Sequence, residues 1–165
     1  MFNKAAFDLL ERRRLASTCP EQRVAAAIYG VANGMVDLLS IGVNGSPVDC
    51  THPPLYIHKR TCVHAEDRAL RQLPSISRYY RLVCYTSLAP CLACAEKLYD
   101  AGVEAVTYVR EYSERAGKEF LLNKGRPVYK LRATGKTVPL NLDLPWQPFT
   151  SCREISRMEV WMQNA

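Results

Sequence analysis

A histidine and a glutamate one residue apart, followed 27 positions after the histidine by a Pro-Cys-x-x-Cys run, constrain this 165-residue chain more than any other feature. The two stretches are TCVHAEDRAL, with His64 and Glu66, and LAPCLACAEKLYDAG, with Cys91 and Cys94. A Cys-x-x-Cys alone reads as a disulfide, a redox pair, half of a metal site or small residues at a buried helix start. Together with the histidine it reads further. One imidazole and two thiolates can hold zinc and leave the fourth tetrahedral position for water. Zinc draws that water's pKa towards neutrality. A carboxylate two residues beyond the histidine, on the same helical turn, can shuttle protons without ligating the metal. Both ligand sets open predicted helices, where the dipole favours thiolate and hydroxide. Helix starts that follow parallel strands meet at the carboxyl edge of the sheet, where α/β domains place their ligands.

The rest of the chain supplies such strands. Residues 23–29 (RVAAAIY) and 35–42 (MVDLLSIG) read as strands, with residues 30–34 as the turn between them. A loop rich in Gly, Pro, Asp and His follows from residue 44 to about 60. Helical periodicity covers residues 64–73 and stops at Pro74; a strand is expected over 82–87, and a helix over 91–101 with Gly102 past its end. Strand 103–109, helix 114–123 ended by Gly125 and strand 128–131 complete a β-α-β-α-β series, which implies an α/β layered domain with parallel crossovers. The first segment reads as a helix with Phe7, Leu9, Leu10 and Leu15 on a loose apolar face. Residues 133–149 show no clear period. Residues 151–154 then fit a capping box before a last helix carrying Cys152, Ile155, Met158 and Met162 on one face, a stripe suited to packing.

Composition bounds the class. One domain is the default at this length. The N-terminus has no apolar h-region, and no stretch approaches the roughly 20 apolar residues that span a bilayer. The expectation is a cytoplasmic protein with no membrane partner, where lasting disulfides are uncommon, so seven cysteines point first to metal or catalysis. The net charge of +6 suits a phosphate-bearing partner.

The H-x-E…P-C-x-x-C order is the zinc-deaminase signature, and HAE with PCLAC resembles the cytidine deaminase superfamily. STCPEQRVAAAI at residues 17–28 and IGVNGSP at residues 41–47 are similar to stretches of its deoxycytidylate (dCMP) deaminase branch, and LYDAGVEAVTYVREY continues the likeness to about Leu131. The resemblance implies a three-layer α/β/α fold with a central mixed five-stranded sheet. It implies a catalytic domain over residues 1–132; residues 133–165 match nothing in the family and read, from their capping box and apolar stripe, as a C-terminal extension ending in a helix packed on the same domain or on a neighbouring subunit. It implies a hydrolase acting on the C–N bond of a cyclic amidine, which turns dCMP into dUMP and ammonia and feeds thymidylate synthesis.

Carried over by position, the resemblance makes His64, Cys91 and Cys94 the ligands of a catalytic zinc and Glu66 the proton carrier. It aims the Ala65 N–H at the pyrimidine carbonyl, backbone carbonyls of Ser87, Leu88 and Ala89 at the amine, and Asn44 at the deoxyribose. Arg23 and Tyr112 become candidates for phosphate and ring contacts. It also implies dCTP and dTTP as regulators and a homo-oligomer, a hexamer being favoured.

Three positions depart from the family pattern: Arg68 stands where Asn is usual, Val43 where Tyr is usual and Ala25 where Gly is usual. Arg68 reads either as a solvated helix charge or as a phosphate contact, and a dCMP modified at C5 stands open beside the plain nucleotide. Some members hold a second, structural zinc, for which Cys19, Cys50, His58 and Cys62 would be the ligands. Cys62 lies two residues before the zinc histidine and is expected to point away from the pocket. The competing reading of those cysteines is free and buried, and Cys84 and Cys152 read as small core residues. Two other functions compete: a deaminase of tRNA or single-stranded DNA, disfavoured by the lack of an aromatic stacking platform, and a non-catalytic zinc module, disfavoured by Glu66.

Overall fold

β1 (Ala25–Ala32) and β2 (Met35–Val43) form an antiparallel hairpin closed at Asn33 and Gly34. Both turn residues have positive φ, 51° and 77°, which gives a two-residue turn whose twist matches that of the strands. The computed structural model describes residues 2–19, 22–45 and 62–140. Among them, β3 (Arg81–Leu88), β4 (Val103–Arg110), β5 (Val128–Leu131) and β6 (Thr137–Pro139) complete a six-stranded sheet in the order β2-β1-β3-β4-β5-β6. β1 runs antiparallel to β3; β3, β4 and β5 are parallel, and β6 returns antiparallel to β5. The sheet is therefore mixed.

Alternation along the strands sorts the layers. Ala26 and Ile28 of β1 with Leu82 and Cys84 of β3 face α2 (Ala65–Arg71), α3 (Leu92–Asp100) and α4 (Ala116–Asn123). Ala25, Ala27 and Tyr29 with Val83 and Tyr85 face α1 (Phe2–Arg13), which buries Ala6 and Leu10. This is the three-layer α/β/α arrangement. On the α1 side, Phe2, Tyr29 and Tyr85 meet edge to face at centroid distances of 4.9–5.6 Å, each pair adding about 0.5–1.5 kcal/mol beyond burial. Tyr85 Oη donates to Asn3 Oδ1 at 2.8 Å, so the buried hydroxyl is satisfied.

Four details differ from the sequence reading. The sheet has six strands rather than five, because residues 137–139 pair with β5. Gly30 is a strand residue opposite Leu82, so the turn occupies only Asn33 and Gly34. α1 gives way to a 3-10 turn at Arg14–Ala16, which swings Leu15 off the apolar face and leaves it 59% exposed. Helices 64–73 and 114–123 are trimmed to Ala65–Arg71 and Ala116–Asn123. The final helix with its capping box, and most of the 44–60 loop, lie outside the described residues. No helix among the described residues is long and apolar enough to cross a membrane.

Candidate active site

His64 and Cys91 are the N-caps of α2 and α3, each in extended backbone, with Arg68 N–H bonding to His64 O at 3.1 Å and Ala95 N–H to Cys91 O at 2.9 Å. A cap residue's side chain stands beside the free N–H end of its helix. The two helices lie on one face of the sheet, so their starts converge. His64 Nδ1 lies 3.2 Å from Cys94 Sγ and 3.5 Å from Cys91 Sγ. The three ligand atoms all fall within 4.8 Å of one another, and they form the one such group among the described residues.

Those separations fit a metal. Zn–S near 2.3 Å and Zn–N near 2.05 Å at tetrahedral angles put sulfur and nitrogen about 3.6 Å apart. The proton chemistry fits as well. The Cys91 thiol is pulled down to about 4 by hydrogen bonding from Cys94, against the opposing effect of burial and with help from His64. Cys94 is pushed up by its bond to Cys91 and by burial. The two sulfurs thus favour sharing a proton between them, and hydrogen bonding to Cys91 raises His64 against burial. A soft divalent cation would displace these protons, and its binding would release them.

Glu66 is buried, at 4% exposure, in the first turn of α2, and burial raises its pKa against a backbone hydrogen bond and His64. Thr86 Oγ1, at the core end of β3, is 3.5 Å from Glu66 Oε1 and 2.9 Å from Leu88 O. Its one proton is best placed for the Leu88 carbonyl.

A cavity opens in front of these groups. Among the expected site residues, its wall includes Asn44, His64, Ala65, Glu66, Leu88, Ala89, Cys91 and Tyr112. Gln22, Val24 and Ser113, which the sequence did not single out, also line it. Val24 and Gln22 arrive by topology: β1 antiparallel to β3 brings the start of β1 to the carboxyl end of β3, with Ala26 opposite Thr86. Ser113 follows β4, whose carboxyl end lies beside that of β3 because the two strands are parallel.

Other expected residues sit differently. Cys62, expected to point away, lines this cavity, as does Cys19. The backbone turns there, since Val63 pairs with Gly45 in an isolated bridge. Cys50 and His58 lie outside the described residues. Ser87, Arg23 and Arg68 are not on the wall. Arg110 Nε donates to Ser87 O at 3.1 Å and its Nη2 to Arg23 O at 3.0 Å, and Ser87 Oγ accepts from Ala25 N–H at 3.0 Å. Arg68 Nη2 donates to Gly45 O at 3.0 Å. Asn44 lines the cavity with its amide already engaged: Oδ1 accepts from Val24 N–H at 2.7 Å and Nδ2 donates to Gln22 O at 2.6 Å. It holds the chain leading into β1 against the end of β2.

The model of the cytidine and deoxycytidylate deaminase zinc-binding region matches residues 2–110. The fold is similar to the dCMP deaminase of cyanophage S-TIM5 in complex with dCMP and dUMP. The identity is 26%, the TM-score is 0.64, and the alignment covers 78% of this chain and 95% of that one. The apo form of the same enzyme gives 25% identity and a TM-score of 0.60 over 78% and 96% of the two chains. The Rib2 deaminase of Aspergillus oryzae, at 14% identity, shares the fold with a TM-score of 0.56 over 79% and 84%. No curated protein matches by sequence.

Proposed function

The chain belongs to the cytidine and deoxycytidylate deaminase zinc-binding family, and from that premise we propose that it deaminates dCMP hydrolytically, giving dUMP and ammonia. The observation that carries this reading is the buried Glu66 carboxyl facing a cavity beside the His64, Cys91 and Cys94 triad. The likeness to a dCMP deaminase that binds dCMP and dUMP supports the choice of nucleotide.

His64 Nδ1, Cys91 Sγ and Cys94 Sγ would hold the zinc. When bound, it supplies Lewis acidity towards a water in the position these three leave open. Glu66 would accept a proton from the water attacking C4 and pass it to N3; the carboxylate would then take the second proton from the new C4 hydroxyl and deliver it to the amine, which leaves as ammonia while the C4 carbonyl forms. Burial, which favours the protonated carboxyl, makes Glu66 a competent donor in the second half of that sequence. The Ala65 N–H donates to the pyrimidine carbonyl. The carbonyls of Leu88 and Ala89 accept from the amine, while that of Ser87 is held by Arg110. Tyr112 forms the side wall for the ring, and Asn44 and Gln22 lie at the sugar end.

The finer parts of the reading are proposals of the same kind. They are a C5-modified dCMP as an additional substrate, supply of thymidylate synthesis, dCTP and dTTP as regulators, a hexamer and a cytoplasmic site of action. A structural zinc on Cys19, Cys50, His58 and Cys62 is another, as is a division into a catalytic unit over 1–132 and an extension over 133–165. An ammonia-release assay decides among substrates. Purified protein should act on dCMP and leave deoxycytidine, dCTP and single-stranded oligonucleotides largely unchanged. Turnover of oligonucleotides with none of dCMP would replace this reading with that of a nucleic-acid deaminase.

A further inference from the structure

Behind the Tyr112 wall stands a charge cluster that the chemistry above does not use. Lys118, in the first turn of α4, is a lysine with only 5% exposure, and its ammonium ion-pairs with Glu111 Oε2. The same carboxylate accepts from Tyr108 Oη at 2.7 Å and from Lys130 Nζ at 3.1 Å through Oε1. Lys118 Nζ also lies 5.1 Å from the centroid of the Tyr108 ring, a cation–π distance. Three side chains, one each from β4, α4 and β5, thus meet at one carboxylate.

The position of that carboxylate in the chain gives the cluster a role. Glu111 directly precedes Tyr112 and Ser113, both on the cavity wall. Lys118 directly follows Gly117, where a Cβ would lie 2.2 Å from Pro90 O and 2.8 Å from Cys91 O. The ion pair therefore ties together both ends of the 111–118 segment. One end carries the wall, and the other lies flush against the peptide that presents Cys91. A buried ammonium needs a partner, so this tie cannot open without stranding a charge.

We propose that Glu111 and Lys118 are positioning residues: their ion pair holds the Tyr112–Ser113 wall at the depth that binds the nucleotide. The inference rests on the deaminase reading for the identity of the ligand. Glu111 is pulled down to about 2, burial being outweighed by Lys118, Tyr108 and Lys130, which agrees with a carboxylate held ionised by its neighbours.

Three variants test it: Glu111→Gln, Lys118→Met and the two combined. A displaced wall weakens ground state and transition state alike, so KM for dCMP should rise about tenfold in all three while kcat stays within about threefold. Amide hydrogen exchange over residues 111–118 should quicken in all three. Glu111→Gln strands the lysine and should lower Tm, whereas the double variant has no buried charge and should recover Tm without recovering KM. Unchanged KM and exchange in Glu111→Gln would overturn the proposal, as would a double variant that regains KM together with Tm. Should the wild-type protein leave dCMP untouched, the deaminase reading fails, and exchange over 111–118 still decides whether the pair orders the wall.

Discussion

Gly42 of β2 meets the carbonyl of Ala65 so closely that a Cβ on the glycine would lie 2.1 Å from that oxygen and 2.5 Å from Ala69 N. Both neighbours are helix backbone, which cannot swing aside as a side chain could. Gly42→Ala therefore has to push α2 off the sheet. Overpacking of this kind costs typically 1–3 kcal/mol, and here the displaced helix carries His64 at its cap and Glu66 in its first turn. The expected outcome is a Tm several degrees lower and a larger loss of deaminase activity than that destabilisation explains. Retention of full activity at the lowered Tm would show that α2 adjusts without moving the site.

Glu66→Gln keeps the shape of the side chain and removes its proton exchange. Positioned acid–base groups contribute about 10²–10⁴-fold, so kcat should fall by at least that much while zinc content, read by atomic absorption, is unchanged. Because Glu66 is not among the three grouped ligand atoms, loss of metal in this variant would contradict the assigned role.

Removing the metal should abolish activity reversibly. Chelation followed by one added zinc per chain should restore turnover, with protons released on rebinding because cysteine ligates zinc as thiolate. Cys94→Ala should not be rescued. Metal analysis of the purified protein also tests the structural site: about two zinc ions per chain would support it and about one would exclude it.

The Glu111 cluster predicts an acid limb. The carboxyl is held at about 2 in the folded protein, below its ordinary value of 4.5. A depressed folded-state pKa gives stability that is complete above about 4.5 and is lost as pH falls towards about 2. The urea midpoint of wild type should exceed that of Glu111→Gln at pH 6, and the gap should close across that window. Taking the difference between the two proteins cancels the titration of the metal site. The carboxylate side chain is 46% exposed, so solvent screening keeps the gap modest. A gap that stays constant down to pH 2 would contradict the ion-pair account.

The grouping of His64 with Cys91 and Cys94, with Glu66 buried beside it, was legible because both sets are local: each is a helix start, and helix starts have sequence signals. The layered fold followed from strand and helix periods of ordinary length. What stayed hidden was non-local or short. Val24 and Gln22 reach the cavity only because β1 runs antiparallel to β3, a direction no local pattern encodes. Arg110 gave no hint that it would occupy the Ser87 carbonyl from the neighbouring strand. β6 has three residues and ends in Pro139, which reads as a breaker and is tolerated because the strand lies at the sheet edge. Leu15 misled because the apolar period runs on past Arg13, where the α-helix itself stops.

The antiparallel seam between β1 and β3 also bears on how the molecule comes together. β3, β4 and β5 are linked by short helical crossovers, whereas Ile28 must find Cys84 across the length of chain that contains β2 and α2. Closing long loops is slow, so the parallel half should assemble first and the β1–β2 hairpin should dock onto it afterwards. Ile28→Val should then speed unfolding more than it slows folding; an equal slowing of folding would mean that the seam forms early. Cys91 and Cys94 belong to the early half, and His64, seated on Gly42 through α2, to the late one. Imidazole and thiolates are strangers until the seam closes, so a metal held by all three would be captured last in folding and would act as a latch against the hairpin's departure.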